Sequence, residues 1–166
     1  MLDIEENTYS IKTEFYKTIT AQMQSLLEGE RDAIANMANF AALLFHSMEF
    51  VNWVGFYIYK ENELVLGPFQ GKPACIRIGV GKGVCGTAAD TFKTQSVDNV
   101  HEFPGHIPCD SASNSEIVIP IVINSKLIGV LDIDSPEFSR FDKVDQTGLE
   151  KLVDVLKSST DFSSLN

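Results

Sequence analysis

Between Tyr9 and Leu27, apolar residues recur about once per helical turn, at Ile11, Phe15, Ile19, Met23 and Leu26, with polar residues between them. That period predicts an amphipathic helix, ended by Gly29. A second helix is predicted from about Asp32 to His46, with Ile34, Met37, Ala41, Leu44 and Phe45 on its buried side. At Trp53 the pattern changes. Trp53-Val54-Gly55-Phe56-Tyr57-Ile58-Tyr59 is β-branched and aromatic, Glu61-Asn62-Glu63 reads as a turn, and Glu63 to Phe69 returns as the second strand of a hairpin.

A short strand around Cys75 to Ile78 leads into the glycine-rich turn Gly79-Val80-Gly81-Lys82-Gly83-Val84-Cys85-Gly86, followed by a helical segment from Thr87 to Lys93. Gln95 to Asn114, with Pro104, Gly105 and Pro108, reads as a long loop. Two strands follow, 115–123 and 126–134, joined by a tight turn at Asn124-Ser125. A last helix, about Lys143 to Lys157, carries Val144, Leu149, Leu152, Val155 and Leu156. This order predicts an α+β fold with a central antiparallel sheet and helices packed on one face. No linker, repeat or low-complexity stretch divides it, so residues 1–166 are expected to form a single domain.

Composition narrows the functional classes. With 44% hydrophobic and 22% charged residues the chain can fill a core. A net charge of −10, with no Lys/Arg run, speaks against nucleic acid as a partner. An acidic surface still suits the cationic group of a small ligand. No stretch reaches the roughly 20 apolar residues that a bilayer span needs, so no membrane partner is expected. The N-terminus Met1-Leu2-Asp3-Ile4-Glu5-Glu6 is acidic where a secretory signal is basic and then apolar, which reads as cytoplasmic. In that compartment Cys75, Cys85 and Cys109 are not a permanent disulfide framework, and their spacing lacks the paired CxxC of a zinc site.

The candidate chemistry lies in cysteines and carboxylates. Cys85 follows the glycine-rich turn at the start of a helix, where free N–H groups and the helix dipole can lower a thiol pKa. Cys109 sits in a polar loop between Pro108 and Asp110, where access is easy. Asp132 and Asp134 alternate with Leu131 and Ile133 and so share a strand face, and Glu116 is on the neighbouring strand. Three acids in one pocket repel one another unless a cation arrives, and their crowding can hold one of them protonated as an acid catalyst. Trp53 and Tyr57, four apart, also share a face. His101 and His106 flank the Cys109 loop and could assist proton transfer. No spacing of His, Asp and Glu suggests a catalytic metal.

Three blocks are distinctive: 52–57 (Asn-Trp-Val-Gly-Phe-Tyr), 66–75 (Leu-Gly-Pro-Phe-Gln-Gly-Lys-Pro-Ala-Cys) and 81–88 (Gly-Lys-Gly-Val-Cys-Gly-Thr-Ala). With Pro108-Cys109-Asp110, Ser113-Asn114-Ser115-Glu116 and Gly129-Val130-Leu131-Asp132-Ile133-Asp134-Ser135 they resemble the free methionine-(R)-sulfoxide reductases, which are GAF-domain proteins. The resemblance implies a GAF-like sheet with a pocket capped by loops. It also implies reduction of free L-methionine-(R)-sulfoxide, with no bound cofactor and thioredoxin as reductant. It assigns Cys109 as the attacking thiol, and Glu116, Asp132 and Asp134 as ligand-binding acids. Cys75 is the first choice to resolve the sulfenic acid and Cys85 the second. Trp53 and Tyr57 would wall the S-methyl group, and the backbone amides of residues 83–85 could hold the substrate carboxylate. Two other readings stay open: a stand-alone GAF sensor of a small ligand, and a thiol redox switch without turnover. The first long helix could supply the face of a homodimer, and a monomer is also compatible with the sequence.

Overall fold

A computed structural model describes residues 4–105 and 111–165, with side chains from residue 10 onward. The elements are α1 (Ile4–Leu26), α2 (Ala33–Ser47), β1 (Trp53–Lys60), β2 (Glu63–Gly71), β3 (Arg77–Gly79), α3 (Gly83–Thr91), β4 (Gln95–Val97), β5 (Ser115–Ile123), β6 (Lys126–Ser135) and α4 (Lys143–Ser159). The strands form one antiparallel sheet in the order β3-β2-β1-β6-β5-β4. Both predicted hairpins are present, and each turns on two residues with positive φ, Glu61-Asn62 and Asn124-Ser125. Such left-handed pairs match the twist of the strands they join. Opposite Phe56, β2 carries Gly67-Pro68, and the ladder slips by one residue there. The bulge accommodates a proline that has no N–H to give.

Alternation along the strands separates two cores. Val54, Phe56, Ile58, Ile117, Ile119, Ile121, Leu131 and Ile133 face α1, α2 and α4. Each such side chain, fully buried, contributes about 1.5–3 kcal/mol. The opposite face carries Trp53, Tyr57, Val118 and Val130, which pack with Leu64, Ile78 and the α3 residues Val84, Cys85, Ala88 and Ala89. The α+β architecture is the expected one, but α3 takes the other face of the sheet from the three longer helices. Its onset is also earlier than the pattern suggests, at Gly83 instead of Thr87. Glycines weaken a local helix signal, and packing against the sheet overrides that weakness.

The segment from Gln95 to Asn114 is not all loop. Gln95–Val97 pairs with β5 as an edge strand, and Val100–Glu102 makes a single 3-10 turn. The buried faces of α1 and α2 also differ from the periodicity. Ile11 and Leu26 are exposed, while α1 buries Tyr16, Ile19 and Met23, and Leu27 just after it is buried too. Steps of four residues advance about 40° around the helix, so a series that begins at the exposed Ile11 reaches the buried face only at Ile19 and Met23, and the three-residue step to Leu26 turns back off it. In α2, Ile34 is likewise exposed, and Asn36 and Phe40 are buried.

α1 lies across α4. Gly148 permits the contact: a Cβ there would come within 2.2 Å of the Tyr16 ring. The Tyr16 hydroxyl donates to Asp145 Oδ1 at 2.9 Å, and Lys12 and Arg140 pair with Asp145 Oδ2. Asp142 and Asp145 close a capping box at the start of α4. Among the described residues no helix is long and apolar enough to cross a membrane.

Candidate active site

The face of the sheet that carries α3 also forms the floor of a cleft. Registry places the acids there. β1 sets Trp53 opposite Asp134 and Gly55 opposite Asp132, while β5 sets Glu116 opposite Asp134. Side chains two apart on one strand, or directly opposite on the next, emerge on the same side. Trp53, Tyr57, Cys85, Glu116, Asp132 and Asp134 therefore line one cleft with Ile78, Lys82, Gly83, Val84, Pro73, Ala74 and Ser113. Its enclosed volume is about 40 Å³.

The aromatic wall depends on Gly55. Trp53 lies flat along the sheet, its ring stacked 5.3 Å from Phe69 and 5.9 Å from Tyr57. A Cβ on Gly55 would stand 2.4 Å from both the indole and Phe69 Cβ, so only glycine lets the indole settle there. Both polar handles are engaged. Trp53 Nε1 donates to the Lys72 carbonyl at 3.1 Å, and the Tyr57 hydroxyl donates to the Cys75 carbonyl at 3.0 Å. Burial, and then the charge of Asp132, push the Tyr57 phenol well above its ordinary pKa, so it remains neutral. The cleft thus meets an apolar wall, not two hydroxyl-like groups.

The floor is electrostatically divided. Glu116 and Asp132 are each only 6% exposed. Burial and the charges of Asp132 and Asp134 push Glu116 well above the carboxylate range. Burial also raises Asp132, to about 6, against the opposing effect of hydrogen bonds from Cys85 and Glu116. Near neutral pH the pair accordingly holds one proton on Glu116 and one charge on Asp132. Asp132 Oδ1 is buried and has no hydrogen-bond partner among the described residues.

Cys85 departs from the expectation drawn from its position. It occupies the third residue of α3, but its thiol is buried and stands 3.8 Å from Glu116 Oε1. Burial, followed by the charges of Asp132 and Glu116, raises its pKa well above the usual thiol value. The helix N-terminus is outweighed, and Cys85 is a neutral thiol that donates to acids. The sequence marks where a helix starts but not what the far side of a sheet places beneath it.

Cys75 follows Ala74 at the rim and is disulfide-bonded, whereas Cys85 is a free thiol. Cys109 and His106 lie outside the described residues. His101 does not line the cleft; its Nε2 donates to Asn114 Oδ1 at 2.8 Å, and Asn114 Nδ2 donates to the Pro136 carbonyl. It clasps the start of β5. Ser113, which accepts from Asn52 Nδ2, and the lining residues Lys82 and Ile78 were not identified from the sequence as site residues. Ser113 lies beside Glu116 in a distinctive block, while nothing in the local pattern marks Ile78. Although the spacing along the chain suggests no metal site, folding brings donor atoms of Cys85, Glu116 and Asp132 within 4.8 Å of one another.

Comparison with known proteins gives a consistent result. The GAF domain family matches residues 29–157. The free methionine-R-sulfoxide reductase of Escherichia coli is 50% identical over 154 residues, covering 91% of this chain and 93% of that protein. The Staphylococcus aureus fRMsr, solved in complex with substrate, superposes with a TM-score of 0.84 at 50% identity, covering 87% and 94% of the two chains. The Neisseria meningitidis free methionine-R-sulfoxide reductase, also solved with its substrate, gives a TM-score of 0.88 at 41% identity, covering 93% of each.

Proposed function

The chain belongs to the GAF-domain family and, within it, to the free methionine-R-sulfoxide reductases, and from that membership we propose how its cleft carries out the reaction. The substrate is free L-methionine-(R)-sulfoxide. The observation that carries the reading is the buried pair on the floor: Glu116 held protonated, Asp132 held anionic, both beneath the Trp53 wall.

Asp132 and the half-buried Asp134 receive the substrate ammonium, and Asp132 Oδ1 has a free acceptor site for it. This selects a free amino acid, because a peptide nitrogen brings no charge to offset the buried carboxylates. Backbone amides at the start of α3, with Lys82 at its N-cap, face the substrate carboxylate. The indole packs on the S-methyl group and excludes the S epimer.

Cys109 attacks the sulfoxide sulfur as a thiolate. Glu116 passes its proton to the sulfoxide oxygen, giving a sulfurane in which Cys109 sulfur is bonded to the substrate sulfur. The hydroxyl then transfers to Cys109 sulfur as the methionine S–O bond and the transient S–S bond break, so methionine leaves and Cys109 is left as a sulfenic acid. Cys75 is the resolving thiol. Its attack on the sulfenic sulfur releases water and forms a Cys75–Cys109 disulfide, which a thioredoxin dithiol reduces by two electrons. The disulfide-bonded state of Cys75 and the free, buried state of Cys85 support this choice between the two.

The test is chromatography of the two epimers incubated with the protein and a thioredoxin reducing system. Loss of the R epimer alone, abolished in Cys109→Ser, is expected. Tight binding of sulfoxide with neither epimer consumed would instead favour a GAF sensor.

A further inference from the structure

The trio on the cleft floor has a donor geometry that the reductase reading does not use. Cys85 Sγ and Glu116 Oε1 are 3.8 Å apart, and with an oxygen of Asp132 all three donors lie within 4.8 Å of one another. A tetrahedral ion holding sulfur at about 2.3 Å and oxygen at about 2.0 Å separates those two donors by about 3.5 Å. Small side-chain adjustments would complete such a set. An independent sign points to a cationic guest: Asp132 is only 6% exposed, yet its Oδ1 has no partner among the described residues. No Lys or Arg among the described residues hydrogen-bonds to any of the three.

We propose that Cys85, Glu116 and Asp132 form an inhibitory site for a borderline-soft divalent cation of the zinc class, which occupies the place of the substrate ammonium. The sulfur donor sets the selectivity. Zinc, cobalt and cadmium accept thiolate, whereas magnesium and calcium demand oxygen alone. Binding releases the protons of the Cys85 thiol and the Glu116 carboxyl to solvent and changes no oxidation state. Three protein donors leave the fourth position open toward the cleft mouth, where water completes the shell. The competition rests on the substrate pose proposed above; the metal site itself does not.

The experiment uses the oxidised full-length protein, in which Cys75 is disulfide-bonded and Cys85 is free. Titration with cobalt(II) should reach one equivalent and produce a thiolate-to-metal charge-transfer band in the near ultraviolet. Cys85→Ser should lose the band, and Asp132→Asn, which keeps the thiol, should weaken binding by about tenfold or more. Excess magnesium should leave the band intact, while free methionine sulfoxide should raise the apparent Kd for cobalt in proportion to its concentration. Absence of the band, or its survival in Cys85→Ser, overturns the site. A band that the sulfoxide cannot displace overturns the inhibitory role. Quenching of the single tryptophan, Trp53, by sulfoxide in chelator-treated protein reports substrate binding separately, so failure of the pose is distinguishable from failure of the metal site.

Discussion

Replacing Asp132 by Asn should stabilise the substrate-free protein, and increasingly so as pH rises. The carboxyl ionises ordinarily at 3.8 and in the folded protein at about 6, principally because it is buried. Folding thus favours the protonated form. That favourable contribution is complete below the ordinary value and is lost as pH rises through about 6, where the folded protein must carry a buried charge. A displacement of about two pH units corresponds to about 3 kcal/mol once ionisation is complete, near pH 8, and to about half of that near pH 5. Asn does not ionise, but its NH2 replaces one of the two acceptor oxygens beside the Cys85 and Glu116 donors, at about 1 kcal/mol. The net gain is therefore about 2 kcal/mol near pH 8 and about half a kcal/mol near pH 5. Urea denaturation of both proteins in chelator-containing buffer, without substrate, measures the difference. With a slope of about 1–3 kcal/mol per molar urea, the midpoints should separate by roughly 1 M at the higher pH. The variant should also bind the sulfoxide more weakly. A gain that does not change with pH, or a loss of stability near pH 8, would refute the reasoning.

Glu116→Gln removes the proton donor but keeps the shape, so kcat should fall by about 10²–10⁴-fold with a smaller change in KM; steady-state kinetics with the R epimer checks this. In the parent enzyme kcat should decline as pH rises through the elevated pKa of Glu116, because the protonated form is the active one. Gly55→Ala forces the Trp53 indole off the sheet and should cost about 1–3 kcal/mol in denaturant titrations while raising KM. Asp145→Ala leaves Lys12 and Arg140 without their buried partner and should cost about 3–5 kcal/mol. It lies beyond the sheet from the cleft, so kcat at a temperature where the variant stays folded should be unchanged.

What could be read from the sequence was what depends on short-range period. The 52–59 run alternates side chains strictly, so Trp53 and Tyr57 had to share a face, and they do. The turn Asn124-Ser125 fixed the pairing of β5 and β6, and with it the approach of Glu116 to Asp132 and Asp134. Features decided by distant contacts were hidden. The edge strand β4 is three residues long and exists because β5 offers a free edge. The placement of α3 across the sheet, which turns Cys85 from an expected activated thiol into a buried neutral one, depends on surfaces more than 30 residues apart. Ser113 and Lys82 reach the cleft by loop geometry that no periodicity encodes.

One measurement tests the central claim most directly. The fully reduced protein is mixed with one equivalent of methionine-(R)-sulfoxide and no external reductant, and both the amino acid and the protein thiols are then quantified. One methionine per chain, with a single new disulfide that peptide mapping locates between Cys75 and Cys109 while Cys85 still alkylates after denaturation, is the expected result. No methionine formed, or a disulfide that includes Cys85, would contradict the account.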